Sequence, residues 1–185
     1  MKLNDFFDLS FCINLEKRKD RLQESLTEFD KLGFHPTIFK AIENESPIVG
    51  CLQSHLTILK MARELNKDVL IFEDDIEFVN NYKETIESAL DELSQLEWDM
   101  FYLGGNVLNS IYQVSDHLGR LTHCQSTHAY SVNHRFLDTL IKNIEQFNDH
   151  IDILYAWGIV PRNFCYITIP ITALQRPSFS DIMGI

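Results

Sequence analysis

No stretch of this sequence approaches the roughly 20 consecutive apolar residues that span a bilayer, so no membrane span is expected within it. Glycine and proline are scarce and scattered, at seven and five residues, and no linker, internal repeat or low-complexity segment can be discerned. Cysteine is confined to Cys12, Cys51, Cys124 and Cys165, and no Cys-x-x-Cys or Cys/His spacing suggests zinc. Reduced thiols in a cytoplasmic setting are therefore expected. Basic residues are outnumbered sixteen to twenty-seven by acidic ones, and the formal net charge of −11 opposes nucleic acid and anionic membrane as partners. A phosphate-bearing substrate would need local cations or a metal. Residues 1–10 lack the apolar core of a signal peptide, which also points to the cytoplasm, with peripheral membrane association left open.

What is present fits one ordinary globular domain: 185 residues, 45% hydrophobic and 23% charged. Its most distinctive stretch is Val69-Leu70-Ile71-Phe72-Glu73-Asp74-Asp75-Ile76-Glu77-Phe78. The apolar run predicts a buried strand and the acids its end. With the extended conformation carried through the acids, alternation places Glu73 and Asp75 on one face and Asp74 on the other. Two like charges about 4 Å apart repel by roughly 4 kcal/mol at an effective dielectric of about 20. A hard divalent cation with oxygen ligands reverses that sign, and Mg²⁺ favours one or two carboxylates plus substrate phosphates. The triplet reads as a metal and phosphate site; the plain alternative is a solvated acidic turn.

Around it the chain alternates strand and helix. Residues 9–15 predict a strand, followed by the basic cluster Lys17, Arg18, Lys19 and Arg21 at the start of a helix bearing Leu22, Leu26, Phe29 and Leu32 and stopped by Gly33. A strand-to-helix junction of this kind either holds phosphate or is a solvated first turn. Residues 36–42 predict a second strand. A helix then opens at Gly50-Cys51-Leu52-Gln53-Ser54-His55 and ends near Asn66, with Ser54 and His55 near its positive end, for structural or functional use. Residues 82–96 predict an acidic amphipathic helix, 99–106 a strand ending in two glycines, and 122–132 another strand. His123 and His128 fall on opposite faces of that last strand, which disfavours a paired-histidine metal site. Asn133 caps a further helix, Asp152 is a lone acid in a short helical segment, residues 165–171 are β-rich, and 175–182 read as a polar loop. The pattern is α/β, with phosphate and metal chemistry expected at strand carboxyl ends.

In order, Ile13-Asn14-Leu15 with Arg18 and Arg21, Ala41-Ile42, Gly50-Cys51 with Ser54-His55, Phe72-Glu73-Asp74-Asp75, Tyr102-Leu103-Gly104, His128-Ala129-Tyr130, Ile151-Asp152 and the closing Gln175 with Ser180-Asp181-Ile182 resemble glycosyltransferase family 25. That family includes lipopolysaccharide, lipooligosaccharide and collagen galactosyltransferases. The resemblance implies a single-domain GT-A-like fold, a central mixed sheet flanked by helices over residues 1–185. Its donor-binding half would take about residues 9–106 and its acceptor-side half about 107–185. It further implies inverting transfer of a sugar, galactose or glucose, from a UDP-sugar to a hydroxyl of a glycan or hydroxylysine-type acceptor, assisted by Mn²⁺ or Mg²⁺.

Glu73-Asp74-Asp75 takes the part of the family's Asp-x-Asp motif, with Glu at its first position. Asp75, with Glu73 or Asp74, would hold the ion, and Asp181 is a further candidate ligand. Asn14, Arg18, Arg21, Ser54, His55, Glu73 and Asp74 would bind the nucleotide sugar. Asp152 is the first candidate for the base that deprotonates the acceptor, Asp99 the reserve. The chain is short for the family, with residues 105–122 read as trimmed. Two rivals stand beside this reading: a non-catalytic nucleotide-sugar or partner-binding relative with the same fold, and a receiver-like phosphoacceptor domain.

Overall fold

The apolar run at residues 69–73 forms β3 (Val69–Glu73), an interior strand of an eight-stranded mixed sheet. The protein's structure, a computed structural model, describes residues 1–79 and 82–177. On one side of β3 lie, in parallel, β1 (Leu9–Asn14) and β2 (Thr37–Lys40). On the other side β8 (Cys124–Val132) runs antiparallel to β3 and also to β5 (Met100–Val107). Beyond β5 come β9 (Cys165–Thr168), β7 (Leu118–Arg120) and β6 (Tyr112–Gln113), giving the order β2-β1-β3-β8-β5-β9-β7-β6. A receiver domain is a doubly wound parallel sheet; the antiparallel β8 between β3 and β5 is incompatible with it.

Period-two alternation divides the core. Val69 and Ile71 face α3 (Pro47–Leu65) and α5 (Leu137–Glu145) through Ile58, Leu59, Ala62, Leu140 and Ile144. Leu70 and Phe72 face α2 (Lys19–Leu32) and α4 (Tyr82–Leu93) through Phe29, Ile86 and Leu90, joined by Leu3 of α1 (Leu3–Phe6). Helix ends follow local chemistry: Gly33 and Asn66 take left-handed conformations at φ 64° and 53°, and the Asn133 side chain accepts from the Arg135 amide. Among the described residues no helix is long and apolar enough to cross a membrane.

Several boundaries depart from the pattern. α3 begins at Pro47 rather than Gly50, because proline at a first helical position has no amide to satisfy. α4 stops at Leu93. Between the strands expected at 99–106 and 122–132, where no element was assigned, β5 extends to Val107 and β6 and β7 form. The segment around residue 152 is α6 (Ile151–Ile153), which widens into a π-helical stretch at Leu154–Ile159. At the end of the described chain, β10 (Ala173–Gln175) pairs antiparallel with β4 (Ile76–Phe78) and takes in Gln175, the first residue of the loop expected over 175–182.

β10 lies against the β5 backbone at Gly104: a Cβ there would stand 1.9 Å from the Ala173 carbonyl oxygen and 2.6 Å from His128 Nε2. Gly104→Ala should therefore push β10 off the sheet, destabilising the protein by about 2–3 kcal/mol and lowering Tm by roughly 5–10 °C. A melting curve unchanged from wild type would refute this packing.

Candidate functional site

A pocket opens at the carboxyl edge of the parallel strands β1 and β3, the edge where open α/β sheets bind ligands. A tight turn after β1, closed by the Arg18 amide on the Leu15 carbonyl at 2.7 Å, sets the first turn of α2 beside the end of β3. Arg21 thereby reaches the acids. Its guanidinium donates to Asp74 Oδ1 at 2.9 Å and also to Asp75 Oδ2. Asn14, the last residue of β1, donates to Asp74 Oδ2 at 2.6 Å and to the Arg18 carbonyl at 3.1 Å. From the far end of the chain, Gln175 Nε2 donates to Asp75 Oδ2 at 3.0 Å.

This geometry corrects the alternation expected of the acids. β3 ends at Glu73 and the chain turns at Asp74-Asp75, so both aspartates face one guanidinium instead of opposite sides of the sheet. Burial pushes Asp74 up to about 6, against the pull of Arg21 and Asn14. Burial and then the charge of Glu73 also raise Asp75. Asp75 Oδ1 is buried with no hydrogen-bond partner among the described residues. A hard cation with oxygen ligands fits that unmet acceptor.

Glu73 keeps the strand's alternation and faces α3. Its Oε1 lies 3.3 Å from His55 Nε2 and accepts from Thr127 Oγ1 at 2.5 Å. Burial would raise Glu73, but the hydrogen bond and charge of His55, followed by the Thr127 hydrogen bond, outweigh it and hold the carboxyl below its usual range. The other His55 nitrogen, Nδ1, is 2.9 Å from the Tyr130 hydroxyl, itself 3.2 Å from that of Tyr155.

Of the residues singled out from sequence, Arg21, Ser54, His55, Glu73, Asp74 and Asp75 line this pocket, and Asn14 braces it from behind. The Ser54 hydroxyl is already used, accepting from the Ile42 amide at 2.8 Å and donating to the Gly50 carbonyl at 2.8 Å, so it fastens the loop after β2 to α3. Arg18 does not line the pocket and pairs with Asp20 at 3.0 Å. Asp152 is outside the walls yet near enough to Cys51 for its charge to contribute to raising that thiol. Asp99 is at the wrong edge: it precedes Met100, which is in register through Val132 with Val69, about 13 Å of strand from Glu73. There it accepts from the Phe164 amide at 2.8 Å. Asp181 lies outside the described residues.

Lys17, Cys51, Thr127 and Gln175 belong to the site without having been assigned to it. Cys51 and His55 stand one turn apart on a helix, a Cys/His spacing that was not expected to hold a metal. Thr127 and Gln175 arrive by strand pairing with partners far away in sequence, and both come from beyond residue 106, so the site draws on both expected halves of the chain.

Residues 47–151, which include α3, the acids and β8, match the family model described as glycosyltransferase family 25 (LPS biosynthesis protein). The chain is 29% identical over 135 residues to the human inactive glycosyltransferase 25 family member 3, covering 56% of this chain and 22% of that one. It is 27% identical over 130 residues to human procollagen galactosyltransferase 2, covering 53% and 21%. The chain thus spans about a fifth of the length of these curated relatives. A solved glycosyltransferase involved in glycosylation of the major capsid of PBCV-1 superposes with a TM-score of 0.51 at 9% identity, over 83% of this chain and 76% of that one, and fixes the fold as GT-A-like. With the family model matched over more than half its length, this chain belongs to glycosyltransferase family 25.

Proposed function

We propose that the pocket binds a nucleotide-diphosphate sugar, a UDP-sugar carrying galactose or glucose, and that the protein transfers the sugar with inversion to a hydroxyl of a glycan or hydroxylysine-type acceptor. The observation that carries this reading is the Asp74–Arg21–Asp75 clamp at the strand edge, with one Asp75 oxygen left unsatisfied among the described residues. Arg21 and Lys17 put cationic groups where a diphosphate needs them, on a chain otherwise too acidic to attract one. Asp75 and Glu73 would hold Mn²⁺ or Mg²⁺. When bound, such an ion offsets the negative charge that grows on the departing diphosphate. Asn14 fixes the carboxylate of Asp74, and His55 with Thr127 keeps Glu73 ionised and aimed. For the base we propose Asp152, the one of the two candidates near a pocket residue.

A second reading, a nucleotide-sugar binder that transfers nothing, is favoured by the similarity to a human relative described as inactive. Both readings expect the same binding behaviour. UDP and UDP-sugars should raise Tm with Mn²⁺ present, by about 2.7 kcal/mol of stability at one hundred times Kd, and Asp75→Asn should abolish the effect. GDP and CMP should act weakly. No response to any nucleotide at saturation would overturn both readings; donor hydrolysis or sugar transfer at ordinary enzyme rates would remove the second.

Burial of Asp74 also sets a pH dependence. The folded pKa of Asp74, about 6, lies above its ordinary 3.8, so its contribution favours folding fully below the lower value and is lost as pH rises through the upper one. Asp74→Asn removes that slope. Relative to the variant, wild type should lose about 1–3 kcal/mol between about pH 4 and about pH 7, measured as urea midpoints at each pH. A parallel pH dependence of the two proteins would contradict the assignment.

A further inference from the structure

Cys51 and His55 stand four residues apart on α3, so one turn of helix presents both side chains on the same face. Glu73 meets that face from the end of β3. One donor atom from each of the three residues lies within 4.8 Å of the other two. The 3.3 Å between His55 Nε2 and Glu73 Oε1 is also about the edge of a tetrahedron whose metal–nitrogen and metal–oxygen bonds are roughly 2.0–2.1 Å. His55 Nδ1 meets the Tyr130 hydroxyl, the outer contact that orients a metal-bound imidazole and turns Nε2 toward the ion. All three residues line the pocket, which leaves a path for the ion and an open fourth position for water.

We propose that Cys51, His55 and Glu73 form a binding site for a thiophilic divalent cation, Zn²⁺ being the natural occupant, with water as fourth ligand. Its mixed sulfur, nitrogen and oxygen donors differ from the hard carboxylates around Asp75, and the two sets share only Glu73. Burial raises the Cys51 thiol, so the thiolate forms with the ion and not before it. Each ion bound sends two protons to solvent, that of the Cys51 thiol and that on His55 Nε2, and exchanges the His55–Glu73 hydrogen bond for two metal–ligand bonds. Zn²⁺ held there withdraws Glu73 and fills the pocket floor, which makes it a competitor of the donor. That consequence rests on the proposed function; the binding itself does not.

The test is a Co²⁺ titration of the chelator-stripped 185-residue chain without nucleotide. A thiolate-to-cobalt charge-transfer band should appear with one equivalent, vanish on Zn²⁺ addition and be absent in Cys51→Ser. Zn²⁺ affinity, from competition with a chromogenic chelator, should fall at least about tenfold in Cys51→Ser and stay unchanged in Asp75→Asn. X-ray absorption of the wild-type zinc form should contain a sulfur neighbour at about 2.3 Å, a measurement independent of how any variant folds. Zinc bound through nitrogen and oxygen alone, an affinity indifferent to Cys51, or no binding would overturn the proposal. Zn²⁺ should also cancel the UDP-dependent thermal shift in wild type and not in Cys51→Ser; a cobalt signal without any UDP shift would separate failure of the donor reading from failure of this one.

Discussion

Three consecutive carboxylates at the end of a buried strand form the constraint around which this protein is arranged. Each like-charged pair in such a cluster costs about 4 kcal/mol at intermediate dielectric, comparable to a large fraction of a domain's whole stability. The protein meets the problem twice within one pocket, with different partners for different acids. Arg21 spans Asp74 and Asp75, while His55 and Thr127 take Glu73. Turning the chain after Glu73 makes this possible, because a continued strand would have sent Asp74 and Asp75 to opposite faces.

The fold supplies those partners from four places. The turn after β1 delivers Arg21, α3 delivers His55, β8 delivers Thr127 and Tyr130, and the β4–β10 pair delivers Gln175. The close approach at Gly104 is what lets β10 reach the site. Arg176 reinforces it, its amide on the Asp75 carbonyl at 2.6 Å and its guanidinium on Glu24 of α2 and the Ile76 carbonyl. Loosening any of these would leave carboxylates buried with less compensation, which is costlier than losing the contact alone. Packing in one part of the chain and electrostatics in another are therefore coupled through the acids.

The sequence made the strand-and-helix order legible because hydrophobic period is a local signal: Val69, Ile71, Leu70 and Phe72 divide the core as alternation requires, and Gly33 and Asn66 end their helices for stereochemical reasons visible in the residues themselves. The acids, Arg21 and His55 were legible as chemistry out of place in apolar surroundings or at a strand-to-helix junction, whereas Asn14 was legible only through the family resemblance. What stayed hidden depends on pairings across the chain. Nothing local tells that Gln175 reaches Asp75, that the Ser54 hydroxyl is consumed by Ile42 and Gly50, or that Asp99 falls at the far edge of the sheet. The short strands within residues 105–122 escaped because β7 exists as a partner of β9 and β6 as a partner of β7, and not through their own propensity.

The balance of charge left after folding bears on what the site can accept. Among the lining residues Arg21 and Lys17 bring two formal positive charges against four carboxylates, Glu43, Glu73, Asp74 and Asp75, and burial raises Asp74 even against the pull of Arg21. A diphosphate alone would add further negative charge to a region already short of cations. A diphosphate and a divalent cation together add almost none, so they can enter without displacing Arg21 from its aspartates. On the proposed function the clamp need not break for a donor to bind, and the preorganised carboxylates would keep their positions where small displacements of charged groups are most damaging to rate.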